Sequence, residues 1–185
     1  MPPTKLQAKS HSAKIHNRRL PAEWEPQSGV MLVWPHAHVD WQHILNDVEK
    51  TYVAIAAAIS PHETVVIVCF NETHRAHIKQ RLNTHNIPTK AAHSNLQFVI
   101  APRNDSWVRD TGPLTIIENL GENHGNDHEI NQLCLLDFTF NGWGEKYPSA
   151  YDNEITTQVK QTHIFGQHPV CTQAMVLEGG SIESD

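Results

Sequence analysis

No run of apolar residues in this 185-residue chain approaches the ~20 needed to cross a bilayer as a helix. The longest, TVVIVCF at 64–70, is strand-sized. An apolar segment is also missing from the first twenty residues, MPPTKLQAKSHSAKIHNRRL. They carry five Lys or Arg and no acid, unlike a secretory signal, and are expected to form a flexible basic arm over 1–18. Cysteine is scarce. Cys69, Cys134 and Cys171 are odd in number and widely spaced, which fits neither a disulfide framework nor a zinc ribbon. Cys69 and Cys134 sit inside apolar runs and read as buried reduced thiols, which points to a reducing, cytoplasmic compartment. Positive charge is in deficit, 14 Lys and Arg against 20 Asp and Glu, so nucleic acid is not the expected partner. G-x-S-x-G, the Walker glycine loop, G-x-G-x-x-G and H-E-x-x-H are all absent, and with them the chemistries they carry.

Histidine is plentiful, 14 in all. His36/His38, His74/His77 and His124/His128 have spacings that two metal ligands can use, but none has a well-placed third. They read as solvated side chains, and neither a metal nor a cofactor is expected.

The apolar pattern alternates strands with helices. VMLVWP (30–35) is a short strand ended by proline. Asp40 is placed to cap a helix from Trp41, whose inward face is Ile44, Val48, Tyr52, Ile55 and Ile59. TVVIVCF reads as a strand covered on both faces. Asn71 opens a second helix to about Asn86. LQFVIA (96–101), PLTIIE (113–118) and QLCLLDFTF (132–140) are further strands. Residues 119–131 read as a polar surface loop. A helix follows Asp152 with Ile155 and Val159 inward, and GGSIES opens a last strand. No linker divides the chain, so it reads as one α/β unit.

Between LQFVIA and PLTIIE stands NDSWVRDTGP (104–113), with Asp105, Arg109, Asp110 and Trp107 at the mouth of a sheet. A lone Asp before Thr-Gly-Pro ordinarily accepts backbone N–H groups in a turn, Arg109 beside Asp110 suits a local ion pair, and Trp107 suits a core. Three charges and an indole within seven residues also suit a cleft where a carboxylate meets a planar cation beside an aromatic wall. LEGGSI (177–182) reads as a bulge or tight turn, or as a place where missing side chains let a ligand approach, with Glu178 pointing in. FNGWGEKYP (140–148) reads as an aromatic-stabilised loop, whose Trp143 and Tyr147 are equally suited to a substrate-side wall.

Taken together, LPAEWEPQSGVMLVWPH, NDSWVRDTGP, FNGWGEKYP and LEGGSI resemble the agmatine deiminase and bacterial, Porphyromonas-type peptidylarginine deiminase family over about Arg19 to Asp185. The resemblance implies a pentein-type α/β propeller of five ββαβ modules around a central cavity, of which 19–185 would form the N-terminal part. It implies hydrolysis of a guanidine C–N bond through a cysteine thiolate, with agmatine as the expected substrate and peptidyl-arginine as the alternative. A non-catalytic guanidine-binding or interaction module is the alternative of another class. By the same resemblance Asp110 holds the guanidinium, Glu178 is the catalytic acid and Trp107 lines the pocket. The family's His-x-Asp motif and nucleophilic cysteine fall beyond Asp185, so the chain is expected to be inactive alone. The expected partner is a small cationic guanidine, with no membrane or nucleic acid, and homo-oligomer formation is left open.

Overall fold

The computed structural model describes residues 17–39, 41–89, 95–123 and 126–184, and side chains outside 121–130. Most of the basic arm, the Asp40 cap and His124 fall outside these residues.

Two sheets share the chain. The first is parallel, with β2 (Gly29–Val33), β3 (Thr64–Cys69) and β4 (Leu96–Ile100) in the order β2-β3-β4. Its crossovers are α1 (Leu45–Ile59) and α2 (Glu72–Thr84), giving two successive βαβ units. Every β3 residue from Val65 to Cys69 is buried, as its unbroken β-branched run requires. Trp34, Val53, Ala56, Ile67, Ile78 and Leu82 close one face beneath the two helices. Val66, Val68, Val99, Ile155 and Val159 close the other beneath α5 (Ile155–Gln161).

The second sheet runs in the order β1 (Asn17–Arg19), β5 (Leu114–Asn123), β6 (Asn126–Thr139) and β7 (Val170–Val176). The β1-β5 and β5-β6 pairs are antiparallel, and β6-β7 is parallel. The chain is therefore mixed α/β. No helix among the described residues is long and apolar enough to cross a membrane.

Four sequence expectations are corrected. The polar stretch 119–131 is not a loop: β5 and β6 stay paired to Asn123↔Asn126 through two register shifts. Ladder hydrogen bonds use the backbone alone, so an antiparallel pair extends past its core without apolar side chains. GGSIES makes a 3-10 turn at Gly179–Ser181 rather than a strand, while the strand lies earlier, at β7. The fully buried positions of α1 are Glu49, Val53 and Ala56, one position round from the expected stripe, of which Tyr52 and Ile59 still pack against the core while Ile44 is exposed. Glu49 is tolerated there because Trp34 Nε1 donates to it at 3.0 Å, His77 Nε2 contacts it at 2.8 Å and Arg81 lies at 3.4 Å.

Two of the histidines are the fourth, while His38 and His77 are exposed as expected. His36 is buried against Phe70, with ring centroids 4.4 Å apart. His74 Nδ1 accepts the Phe70 N–H at 3.1 Å, and its Nε2 contacts the Pro35 carbonyl at 3.0 Å. Burial first, then the positive charge of Arg103, holds both rings down at about 4, so they are neutral structural groups rather than solvated ones. Asn71 caps α2 as expected, its side chain accepting the His74 N–H at 2.8 Å.

Candidate functional site

Three segments singled out in the sequence follow the carboxyl ends of three strands. NDSWVRDTGP follows β4, FNGWGEKYP follows β6 and LEGGSI follows β7. Side chains placed beyond strand carboxyl ends are where sheet-and-helix folds gather ligands.

The loop after β4 is fixed from below. Arg103 is 2% exposed, and its guanidinium donates to the carbonyls of Trp34 and Ala101. Its Nε has no hydrogen-bond partner. Burial pushes its pKa down to about 10, still a cation at neutral pH. Asn104 and Asp105 donate their N–H groups to Asp152 Oδ1 at 2.8 and 3.1 Å, while the Tyr151 N–H donates to Asn104 Oδ1 at 2.9 Å. Burial raises the Asp152 carboxyl to about 6, against the lowering effect of those two amides. The acids and bases under the loop thus clamp it to the residues ahead of α5.

On that clamped base the chain makes one helical turn, α3 (Val108–Thr111), with Trp107 as its N-cap. The N–H groups of Asp110 and Thr111 both return to the Trp107 carbonyl. Trp107 and Asp110 are three apart, so their side chains leave neighbouring positions of the turn. The Trp107 ring is 46% exposed and stands edge-on to Trp41, centroids 5.5 Å apart. It is not part of a core.

Asp110 joins all three segments. Its Oδ1 accepts the Gly180 N–H at 2.9 Å and its Oδ2 accepts Trp143 Nε1–H at 3.2 Å. Neither donor is local, so the simple turn carboxylate is set aside. A carboxylate offers about four acceptor positions, so two remain for a further donor. Arg109 makes no ion pair with Asp110 among the described residues. Its Nη2 donates instead to the Ile182 carbonyl at 2.7 Å, tying the other side of α3 to the same 3-10 turn.

Glycine is needed at the first position of that turn, and at the second it leaves Asp110 its place. A Cβ on Gly179 would overlap the Arg109 carbonyl, and one on Gly180 would overlap Asp110 Oδ1. Glu178 caps the turn; its carbonyl accepts from the N–H and hydroxyl of Ser181 at 2.9 and 2.7 Å. Its half-buried carboxylate has no hydrogen-bond partner among the described residues, in contrast to Asp110.

The third contributor is α4 (Gly142–Glu145), a single turn of left-handed backbone. Its φ values are 69, 57, 78 and 65° from Gly142 to Glu145. Asn141 holds it, its side chain accepting the Gly144 N–H at 2.9 Å and its carbonyl the Glu145 N–H at 2.8 Å. Phe140 and Tyr147 stand edge-on to the Trp143 ring, centroids at 5.0 and 5.8 Å. These contacts aim the indole N–H at Asp110.

The structure therefore gathers Asp110, Trp143 and the turn opened by Glu178, and leaves Trp107 beside Trp41 on the same helical turn as Asp110. Arg103 and Asp152 were not anticipated; no spacing in the sequence marks a buried cation whose main partners are carbonyls. Among the described residues, no group of three or more His, Cys, Asp or Glu is placed to hold a metal. The site offers the Asp110 carboxylate beside the Trp143 indole, which suits a planar cation that donates hydrogen bonds.

Comparison with known proteins gives concordant results. The profile of the Porphyromonas-type peptidyl-arginine deiminases matches residues 19–185. An agmatine deiminase of Ectopseudomonas mendocina is 32% identical over 171 residues, 90% of this chain and 40% of the relative. An agmatine deiminase of Medicago truncatula is 31% identical over 173 residues, 92% of this chain and 43% of the relative. Among solved structures, a C. jejuni agmatine deiminase with substrate bound superposes with a TM-score of 0.71 at 28% identity, over 90% of this chain and 42% of that one. This chain thus spans about two fifths of the length of these curated relatives.

Proposed function

We propose, because the chain belongs to the Porphyromonas-type peptidyl-arginine deiminase family, that the complete protein is an agmatine deiminase, a hydrolase of a guanidine C–N bond. The observation that carries this reading is the meeting of Asp110 with Trp143 and Gly180, which turns three separate motifs into one site. The relatives named agmatine deiminase and the substrate-bound C. jejuni structure support agmatine over a peptide.

A guanidinium stays protonated at any physiological pH. Asp110 holds it as a cation through the acceptor positions left free by Gly180 and Trp143. Glu178 serves at the reacting end as the acid, and Trp107 walls the opening. A cysteine thiolate attacks the guanidinium carbon and ammonia leaves with a proton from a histidine. Water then releases the ureido product, N-carbamoylputrescine, from the amidino-thioether. That cysteine and histidine are assigned to none of these 185 residues. Residues 19–185 supply the N-terminal part of one deiminase domain, with the pentein propeller as its architecture, and no cofactor takes part.

The test is an assay of the complete protein for ureido product, with agmatine and an arginine-containing peptide offered in parallel. Turnover of agmatine is expected. Citrulline formed in the peptide with no turnover of agmatine moves the assignment to protein-arginine deimination. Tight agmatine binding without product leaves only the non-catalytic module.

Gly180→Ala is expected to lower kcat/KM by about one order of magnitude, because a Cβ there pushes Asp110 Oδ1 aside and breaks its hydrogen bond to the Gly180 N–H, worth ~1.5 kcal/mol. Steady-state kinetics beside a melting curve check this. Unaltered kinetics would show that the position of the Asp110 carboxylate is immaterial.

A further inference from the structure

Two of the three cysteines have a relationship that their sequence separation conceals. Cys134 lies on β6 and Cys171 on β7, 37 residues apart, yet their sulfurs are 3.2 Å from one another. The strands hold them in a fixed register: Leu135 pairs with Val170 and Leu136 with Cys171. Cys134 is fully buried and Cys171 is half-buried. The third cysteine, Cys69, is buried in the other sheet at the end of β3.

We propose that Cys134 and Cys171 are a peroxide-oxidisable pair whose disulfide fastens β7 to β6. A disulfide needs the sulfurs at ~2.05 Å, so closing the present gap takes a shift of about one ångström at side chains on adjacent strands. Burial pushes the Cys134 thiol up to about 12, with contributions from Cys171 and the Glu118 carboxylate. Glu118 is itself paired with Arg18 at 2.9 Å. Cys134 is therefore the sheltered, protonated member, and Cys171 is the one an oxidant reaches.

The Cys171 sulfur, as thiolate, attacks one oxygen of a hydroperoxide. The O–O bond breaks, leaving a sulfenic acid on Cys171 and releasing water or an alcohol. The Cys134 sulfur then attacks the Cys171 sulfur and gives up its proton. The S–O bond breaks, water leaves and the S–S bond forms. Two thiols are oxidised by two electrons and one peroxide is reduced. In a reducing compartment the pair rests as dithiol, and the link forms only under oxidant. Once formed, it fixes the strand that runs directly into Leu177 and Glu178, where the Leu177 N–H already meets the Thr139 carbonyl at 3.1 Å.

The experiment is peptide mapping of the reduced, purified chain before and after hydrogen peroxide, with free thiols blocked by alkylation. The expected result is one linked peptide pair, Cys134 to Cys171, lighter by two hydrogen masses and separated again by dithiothreitol. Cys69 should stay alkylatable once the chain is denatured. Cys171→Ser should abolish the link and leave Cys134 recoverable as free thiol. Recovery of both peptides unlinked from wild-type chain that remains folded by circular dichroism overturns the proposal. So does equal cross-linking through Cys69.

Discussion

Asp110→Ala in the complete protein is expected to cut kcat/KM for agmatine by about two orders of magnitude, with KM and kcat both affected. Two unit charges ~4 Å apart at an effective dielectric near 20 attract by roughly 4 kcal/mol, of which desolvation takes a part. At about 1.4 kcal/mol per decade the full attraction is worth just under three decades, and what desolvation leaves is about two. In the proposed role the carboxylate grips the cation in the ground state and stays beside it as the carbon is attacked, so the loss is expected to divide between binding and turnover. Asp110→Asn refines the test. Its carbonyl can still accept from Gly180, but its amide then presents a donor to the Trp143 indole donor, so charge and one of two hydrogen bonds go together. Both variants should stay folded, since Asp110 is only half-buried. If kcat/KM of the alanine variant lies within about threefold of wild type while agmatine is still turned over, Asp110 does not hold the guanidinium.

The largest effect on stability is expected from Arg103→Ala, a loss of about 3–5 kcal/mol of unfolding free energy. The side chain is buried, and its removal strands the carbonyls of Trp34 and Ala101 and opens a void under the loop. Against a domain stability of ~5–15 kcal/mol this is a large fraction. Arg103→Met should recover part of it, because it refills the volume and removes a buried charge whose desolvation opposes folding. The urea midpoint measures both. A shift in the alanine variant worth less than about 1 kcal/mol shows that the clamp is redundant.

How much of this was legible beforehand depends on range. The β3 run reads directly as a buried strand because every position is apolar and branched, and Asn71 reads as a cap because its acceptor serves an amide three residues on. The motif segments 104–113 and 177–182 were visible as charge and glycine clusters that ordinary strands do not carry. Their meeting was not, because it depends on how β4, β6 and β7 are stacked in space. Trp143 could be weighed only as an aromatic wall; its hydrogen bond to Asp110 follows from backbone torsions that no residue pattern states. The Cys134–Cys171 contact is of the same kind, since register between distant strands is set by the whole sheet. The polar stretch 119–131 is illegible for the opposite reason: backbone pairing persists to Asn123↔Asn126 where the side-chain pattern has stopped.

The turn from Gly142 to Glu145 winds opposite to the other described helices. At Trp143 an L-residue bears a torsional burden of roughly 1–2 kcal/mol that glycine would escape. Any tryptophan-to-glycine change there would relax the backbone and at the same time abandon the carboxylate. An unburdened backbone and a held Asp110 therefore make opposite demands on position 143.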